Sequence, residues 1–327
     1  MIISQTPLRI SFAGGGTDIK SYYAKDHGVV VSTAIDKFIY VIVKERFDDK
    51  IRIGYSKTEL VDSVDEIEHD LVRESMKMVG INSGIEISTM ADIPSEGSGL
   101  GSSSSVTVGL LNALYAYKGV YCPRDTLAEQ ACKIEIDILG KPIGKQDQYI
   151  ASYGGFRKFE FHNNDEVVVR TIDLVDDEKR QINEYLMLFY TGISRKADNI
   201  LQDQVSRMPD NMETLREMRK QAEFLAEQLS VIKNLECIGN TLLTGWDNKI
   251  KLSKGICNQQ ISALVDKALK AGASGAKITG AGGGGFLLLY VHPENRKFVR
   301  KALKGLRELA ICISQDGSKI IFNVRRR

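Results

Sequence analysis

The segment Pro94-Ser95-Glu96-Gly97-Ser98-Gly99-Leu100-Gly101-Ser102-Ser103-Ser104-Ser105 carries the most informative chemical pattern in the chain. It sets glycines and hydroxyls between a strand-like stretch and an apolar helical one. Glycine lets a backbone approach a ligand closely and adopt positive φ. The helix that follows opens with free N–H groups and a partial positive charge, so loop and helix together suit a phosphate. The serine hydroxyls can add hydrogen bonds or a ligand to Mg²⁺. The same composition also describes a flexible linker ending in a serine cap. A Walker A loop is excluded, because no lysine follows Gly101. Gly280, Gly282 and Gly285 satisfy G-x-G-x-x-G, but Phe286 to Tyr290 reads as a strand where a dinucleotide site needs a helix. A nicotinamide dehydrogenase fails on that context.

Phosphoryl transfer asks for cations around the moving group and a carboxylate near the attacking hydroxyl. The stretch from Glu135 to Gln148 supplies candidate acids, with Glu129 and Asp137 as alternatives to Glu135. On residue type alone, Glu135 is equally an exposed helix charge and Arg9 a surface charge on a strand. Asp147 is equally a helix N-cap, a role compatible with chemistry. The four histidines are far apart with no H-x-x-x-H spacing, which argues against a zinc site. Five cysteines, an odd count without C-x-x-C, point to free thiols and a cytoplasmic protein.

The elements that must position these groups follow from periodicity. Strands are expected at Ile2–Phe12, Val29–Thr33, Tyr40–Lys44, Gly84–Met90, Val167–Ile172, Leu186–Tyr190, Ala276–Thr279, Phe286–Val291 and Lys319–Val324. Helices are expected over Asp65–Val79, Val106–Tyr117, Pro123–Gly140 and Ile256–Ala271, with a long one from Pro293. Met212, Leu215, Met218, Ala222, Leu225 and Leu229 form an apolar face that packs internally or on a partner, so a homodimer is compatible. The 327 residues, 43% hydrophobic and 26% charged, describe a soluble chain large enough for two cores. A division near residues 165–185 gives two α+β halves, 1–175 and 176–327. The N-terminus lacks a signal-peptide pattern, the longest apolar run is Phe286–Val291, and Arg325 to Arg327 read as a solvated tail. A net charge of +2 gives no bulk field for nucleic acid or an anionic membrane. The 29 glycines against 6 prolines are the compositional oddity, and three clusters hold much of the surplus: 14–16, 97–101 and 282–285.

The middle cluster resembles the nucleotide loop of the GHMP kinases, P-x-x-x-G-L-G-S-S, with one extra residue between Pro94 and Ser103. The family's other two motifs resemble Pro7-Leu8-Arg9-Ile10-Ser11-Phe12-Ala13-Gly14-Gly15-Gly16-Thr17-Asp18 and Lys277-Ile278-Thr279-Gly280-Ala281-Gly282-Gly283-Gly284-Gly285, in the right order. The first has the variant form of sugar-1-kinases acting on heptose 7-phosphate or fucose. The resemblance implies a two-domain α+β fold, like ribosomal protein S5 domain 2 in the N-terminal half and ferredoxin-like in the C-terminal half. It implies ATP bound by Gly97, Ser98, Gly99, Leu100, Gly101, Ser102, Ser103 and Ser104, and Mg²⁺ held by Ser103 and Glu135. Asp147 would face the substrate hydroxyl and Arg9 the transferred phosphate. This chain has one residue more than mevalonate kinase between the turn glycine and Asp147.

Substrate contacts are expected at Gly16, Thr17, Asp18, Lys145, Arg195, Gly282 and Gly283, with Arg157 and Lys196 as further candidates for a substrate phosphate. Asp18 suits a sugar, because a carboxylate accepts hydrogen bonds from a vicinal diol. The resemblance implies phosphorylation of an anomeric hydroxyl, with D-glycero-D-manno-heptose 7-phosphate as the acceptor for bacterial heptose-nucleotide synthesis. L-Fucose is the alternative. A sugar- and ATP-binding regulator without activity is the reading of another class, but it has no need of Glu135, Asp147 and Arg9 together.

Overall fold

The computed structural model describes residues 1–93, 97–193 and 197–324. An eight-stranded sheet is built from β1 (Ile2–Ala13), β2 (Gly28–Glu45), β3 (Ile51–Gly54), β4 (Thr58–Val61), β5 (Ile85–Ala91), β6 (Phe156–Phe161) and β7 (Val167–Thr171), completed by the last strand of the chain. A four-stranded antiparallel sheet takes β8 (Leu186–Tyr190), β9 (Ala273–Ile278), β10 (Phe286–Val291) and β11 (Arg307–Leu309), in the order β11-β8-β10-β9. That last strand, β12 (Lys319–Asn323), pairs with β1, so the chain ends in the sheet where it began.

The helices of the first part are α1 (Lys20–Tyr23), α2 (Asp70–Val79), α3 (Ser102–Lys118), α4 (Arg124–Cys132) and α5 (Gln146–Tyr153). Those that follow are α6 (Asp176–Tyr185), α7 (Ala197–Ser206), α8 (Met212–Glu227), α9 (Cys237–Leu252), α10 (Gln259–Lys270) and α11 (Arg296–Ala302). The mixed α+β architecture in two parts is the one expected. β10, Phe-Leu-Leu-Leu-Tyr-Val, is buried at all six positions, as an apolar run without alternation must be. α3 lies so close to the first sheet that a Cβ on Gly109 would come 2.8 Å from Thr6 Oγ1. The α8 face of Leu215, Met218, Ala222 and Leu225 is buried within the chain, which decides between internal packing and a partner. No described helix is long and apolar enough to cross a membrane.

Some elements depart from their expected limits for physical reasons. The two strands expected within 29–44 are one strand, because a bulge at Asp36 and Lys37 of β2, opposite the Pro7–Leu8 step of β1, absorbs the irregular middle. The helix expected to run from Pro123 to Gly140 changes at Lys133 into a π-helical segment, Lys133–Ile138. After Pro293 there is a 3₁₀ turn and only the seven residues of α11, not a long helix. β6 and α6 lie outside the expected elements, and α5 is the helix that the reading of Asp147 as a cap implies, although Asp147 sits inside its first turn.

Ser318, the residue before β12, also ties three elements together. Ser318 Oγ lies 2.8 Å from Thr6 Oγ1 on β1 and accepts from Asn112 Nδ2 on α3 at 2.9 Å, and its N–H donates to Ala151 O on α5 at 2.8 Å. Ending the chain at Asp316 should therefore lower stability by about 2 kcal/mol or more, a fall in Tm of at least roughly 4 °C. Calorimetry on the truncated chain checks this; an unchanged Tm would show that β12 is not part of the cooperative unit.

Candidate active site

The glycine–serine loop enters α3 through Gly101, whose φ of 79° lies in the left-handed region. Most of its hydroxyls face inward. Ser98 and Ser102 bond to each other at 3.0 Å, Ser105 Oγ donates to Pro7 O, and Ser104 is buried. Ser103 is the exposed hydroxyl of the first turn, so the loop presents main-chain N–H groups, one serine and the helix end. β1 braces it from below, since Arg9 N donates to Leu100 O at 3.0 Å.

Arg9 also gathers the acid. Its Nε and Nη2 donate to the two oxygens of Asp147 at 2.7 Å each, and its Nη1 donates to Gly99 O at 2.6 Å. Asp147 sits in the first turn of α5, and its carboxylate lies 3.4 Å from where a Cβ on Gly101 would stand. The phosphate-type loop and the carboxylate therefore meet at one guanidinium.

Glu135 is fully buried. The π-helical segment brings it to Ser103, whose Oγ donates to Oε2 at 2.7 Å, and to Gln148, whose Nε2 donates to Oε1 at 3.0 Å. The Lys141 ammonium lies 3.2 Å from Ser103 Oγ and 3.6 Å from Glu135 Oε2. Ser103 and Glu135, paired in the sequence reading, are brought together.

Asp18 closes the opposite side. Its oxygens accept from Gly16 N at 2.9 Å and Gln146 N at 3.1 Å, leaving lone pairs toward the cavity. Burial pushes its carboxyl above the ordinary range, against those two N–H bonds. Gly144 permits this approach, because a Cβ there would come 2.0 Å from Asp18 Oδ2.

The last glycine cluster works mainly as a backbone wedge. A Cβ on Gly280 would stand 2.5 Å from Gly99 Cα, and Thr279 Oγ1 donates to Ser98 O at 3.2 Å, so the third motif clamps the second. A cavity opens beside this contact, lined by Arg9, Ser11, Gly16, Asp18, Gln146, Asp147 and Gly280, among others. Two residues that the sequence reading gave no role, Lys249 and Lys277, also line it. Burial lowers the Lys249 ammonium to about 8, and that of Lys277 well below its ordinary value.

Several expected contacts lie elsewhere. Thr17 is fully buried, its Oγ1 donating to Gly14 O and Val29 O and accepting from Val29 N, so its hydroxyl holds a turn rather than facing a sugar. Gly282 and Gly283 pack on Ile256, with Gly283 N donating to Ile256 O at 2.8 Å, outside the cavity lining. Lys145 points into a neighbouring depression and pairs with Asp165 at 3.1 Å. Arg157 is held by Gly154 O and Thr171, away from the cleft. Arg195 and Lys196, like Pro94 to Glu96 and the terminal arginines, lie outside the described residues.

Comparison with known proteins gives a consistent result. Residues 68–155 match the GHMP kinases N terminal domain and residues 225–306 the GHMP kinases C terminal domain. The chain is 30% identical over 320 residues to the D-glycero-alpha-D-manno-heptose 7-phosphate kinase of Campylobacter jejuni, covering 93% of each. It is 26% identical over 347 residues to the L-fucokinase/L-fucose-1-P guanylyltransferase of Bacteroides fragilis, covering 93% of this chain and 36% of that one. In fold it is similar, at a TM-score of 0.83 and 24% identity over all of both chains, to a D-glycero-D-manno-heptose 1-phosphate kinase from Bacteroides thetaiotaomicron.

The displaced lysine has a measurable signature. With the Lys249 ammonium near 8 folded and 10.5 as its ordinary value, the unfolded chain binds more protons between those two pH values. Stability therefore rises with pH through that window. Urea unfolding at pH 8 and pH 10 should show a gain larger in the wild type than in Lys249→Met, by roughly 1–3 kcal/mol. Equal gains would mean that Lys249 is not held off its ordinary value.

Proposed function

The chain belongs to the GHMP kinase family, and from that premise we propose that it transfers the γ-phosphoryl group of ATP to the anomeric hydroxyl of a sugar, D-glycero-D-manno-heptose 7-phosphate. The observation that carries this reading is Arg9. One guanidinium joins Gly99 of the nucleotide loop to Asp147, at the mouth of a cavity that Asp18 also lines. That is the junction of a phosphate donor and a hydroxyl acceptor. The heptose 7-phosphate kinase of Campylobacter jejuni, matched along nearly its whole length, supports the choice of acceptor.

In this mechanism the triphosphate lies along Gly97 to Ser104, where the N–H groups and dipole of α3 meet its charge. Asp147, fixed by two hydrogen bonds from Arg9, orients the attacking hydroxyl and takes its proton, and Arg9 offsets charge on the group in flight. Asp18 accepts from sugar hydroxyls, and Gly16 lets the ring approach the backbone.

A magnesium ion fits the pair Ser103 and Glu135. Both offer hard oxygen, the carboxylate is buried, and an ammonium already rests against the same two groups. When bound, such an ion neutralises phosphate charge and sets the geometry for in-line transfer.

A coupled assay of ADP release across heptose 7-phosphate, fucose, mannose and galactose tests the reading. The expected order puts heptose 7-phosphate first by kcat/KM. Asp147→Asn should lower kcat at least a hundredfold with unchanged ATP binding; a variant retaining more than a tenth of wild-type kcat would remove Asp147 from its role.

A further inference from the structure

The chemistry above leaves two ammonium groups unused. Lys249 on α9 and Lys277 on β9 are only 8% and 6% exposed, yet both line the acceptor cavity. Their partners are main-chain carbonyls: Gly280 O for Lys249, and Ser11 O at 3.0 Å and Phe12 O at 3.4 Å for Lys277. Among the described residues, neither pairs with a carboxylate. Buried charges are ordinarily paired, because carbonyl dipoles do not replace a counter-ion. Here Arg9 repels both lysines and Lys249 repels Lys277, while Asp147 and Asp18 across the cavity offset part of the Lys249 charge without pairing with it. Beside them Ser11 Oγ, on the same face of β1 as Arg9, is buried with no hydrogen-bond partner.

The geometry points to a receptor for a phosphate monoester carried by the acceptor sugar, formed by Lys249, Lys277 and Ser11 where the Lys277 side chain reaches β1. The inference rests on the sugar kinase reading and deepens it. A dianion supplies the contacting anionic partner that the two ammonium groups lack and an acceptor for the idle hydroxyl. The transferred group has its own cation in Arg9 and its own dipole in α3. Lys277 hydrogen-bonds β1 at Ser11 and Phe12, while the nucleotide loop bonds the same strand at Arg9. Specificity follows, since a sugar without the phosphate would leave the buried charges unmet.

Two measurements on the full chain test this. The first is thermal shift without nucleotide, using D-glycero-D-manno-heptose 7-phosphate, the unphosphorylated heptose and inorganic phosphate as probes. Heptose 7-phosphate should raise the Tm of the wild type more than either other probe. That shift should vanish in Lys249→Met and Lys277→Met and survive in Lys249→Arg. Lys277→Gln replaces a methionine variant that does not fold. The second is steady-state kinetics. Either substitution should raise KM for heptose 7-phosphate at least tenfold, hold KM for ATP within twofold, and cut the preference for phosphorylated over free heptose at least tenfold.

Equal thermal shifts in wild type and methionine variants would overturn the receptor. So would a fall in kcat alike on both sugars at constant KM, which would assign the lysines to the transferred phosphoryl group. The kinase reading fails separately: a chain that binds heptose 7-phosphate through these lysines but turns over no ATP keeps the receptor and loses the activity.

Discussion

The arrangement of this cleft depends on how Arg9 is satisfied. Its main chain supports Leu100, one guanidinium nitrogen reaches Gly99, and the other two hold Asp147. A side chain only 6% exposed has little water to fall back on, so each of these partners must be in place for the charge to be tolerated. That requirement fixes the nucleotide loop, the start of α5 and β1 in one geometry. Planar bidentate pairing adds direction, which a lysine at the same position would not supply.

Around that point the chain uses close backbone contact in place of side-chain packing. The third motif touches the second where Gly280 meets Gly99, and Gly144 leaves the space that the Asp18 carboxylate fills. A methyl group at any of these positions would separate elements whose relative placement is the site. The glycine surplus is thus spent on proximity more than on flexibility, and the short ladder of N–H bonds onto Asp18 shows the gain: a buried carboxylate held by main chain on both oxygens.

How much of this was legible in the sequence depended on the range of the contact. The glycine loop before α3, the pairing of Ser103 with Glu135 and the place of Asp147 follow from ordered motifs, and all three come together in the fold. Thr17 lies off the cavity because its hydroxyl serves a local turn, a use that residue type cannot separate from ligand binding. Lys145 turns away from the cavity toward Asp165, which lies in a turn twenty residues on, with positive φ, a contact that local sequence does not reveal. Lys249 and Lys277 escaped for the opposite reason. A lysine on an amphipathic helix and another on a strand read as solvated charges, and only tertiary packing turns them inward. The sole hint was the position of Lys277 at the head of the third motif.

Charge placement explains why a near-neutral protein suits an anionic reaction. Of the groups lining the cavity, the two aspartates come from the N-terminal part, Asp18 after β1 and Asp147 on α5, while the two lysines come from α9 and β9 of the C-terminal part. Carboxylates suit sugar hydroxyls, and ammonium groups suit phosphate, so on the proposed reading the two walls would divide recognition of a sugar phosphate between them. Keeping those ammonium groups buried costs stability, as the lowered value of Lys249 shows. A surface lysine would avoid that cost, but it would also lose discrimination, because water would satisfy it equally well with no phosphate present. In the proposed receptor, selectivity at this wall would therefore depend on charges that have no contacting counter-ion until the ligand arrives.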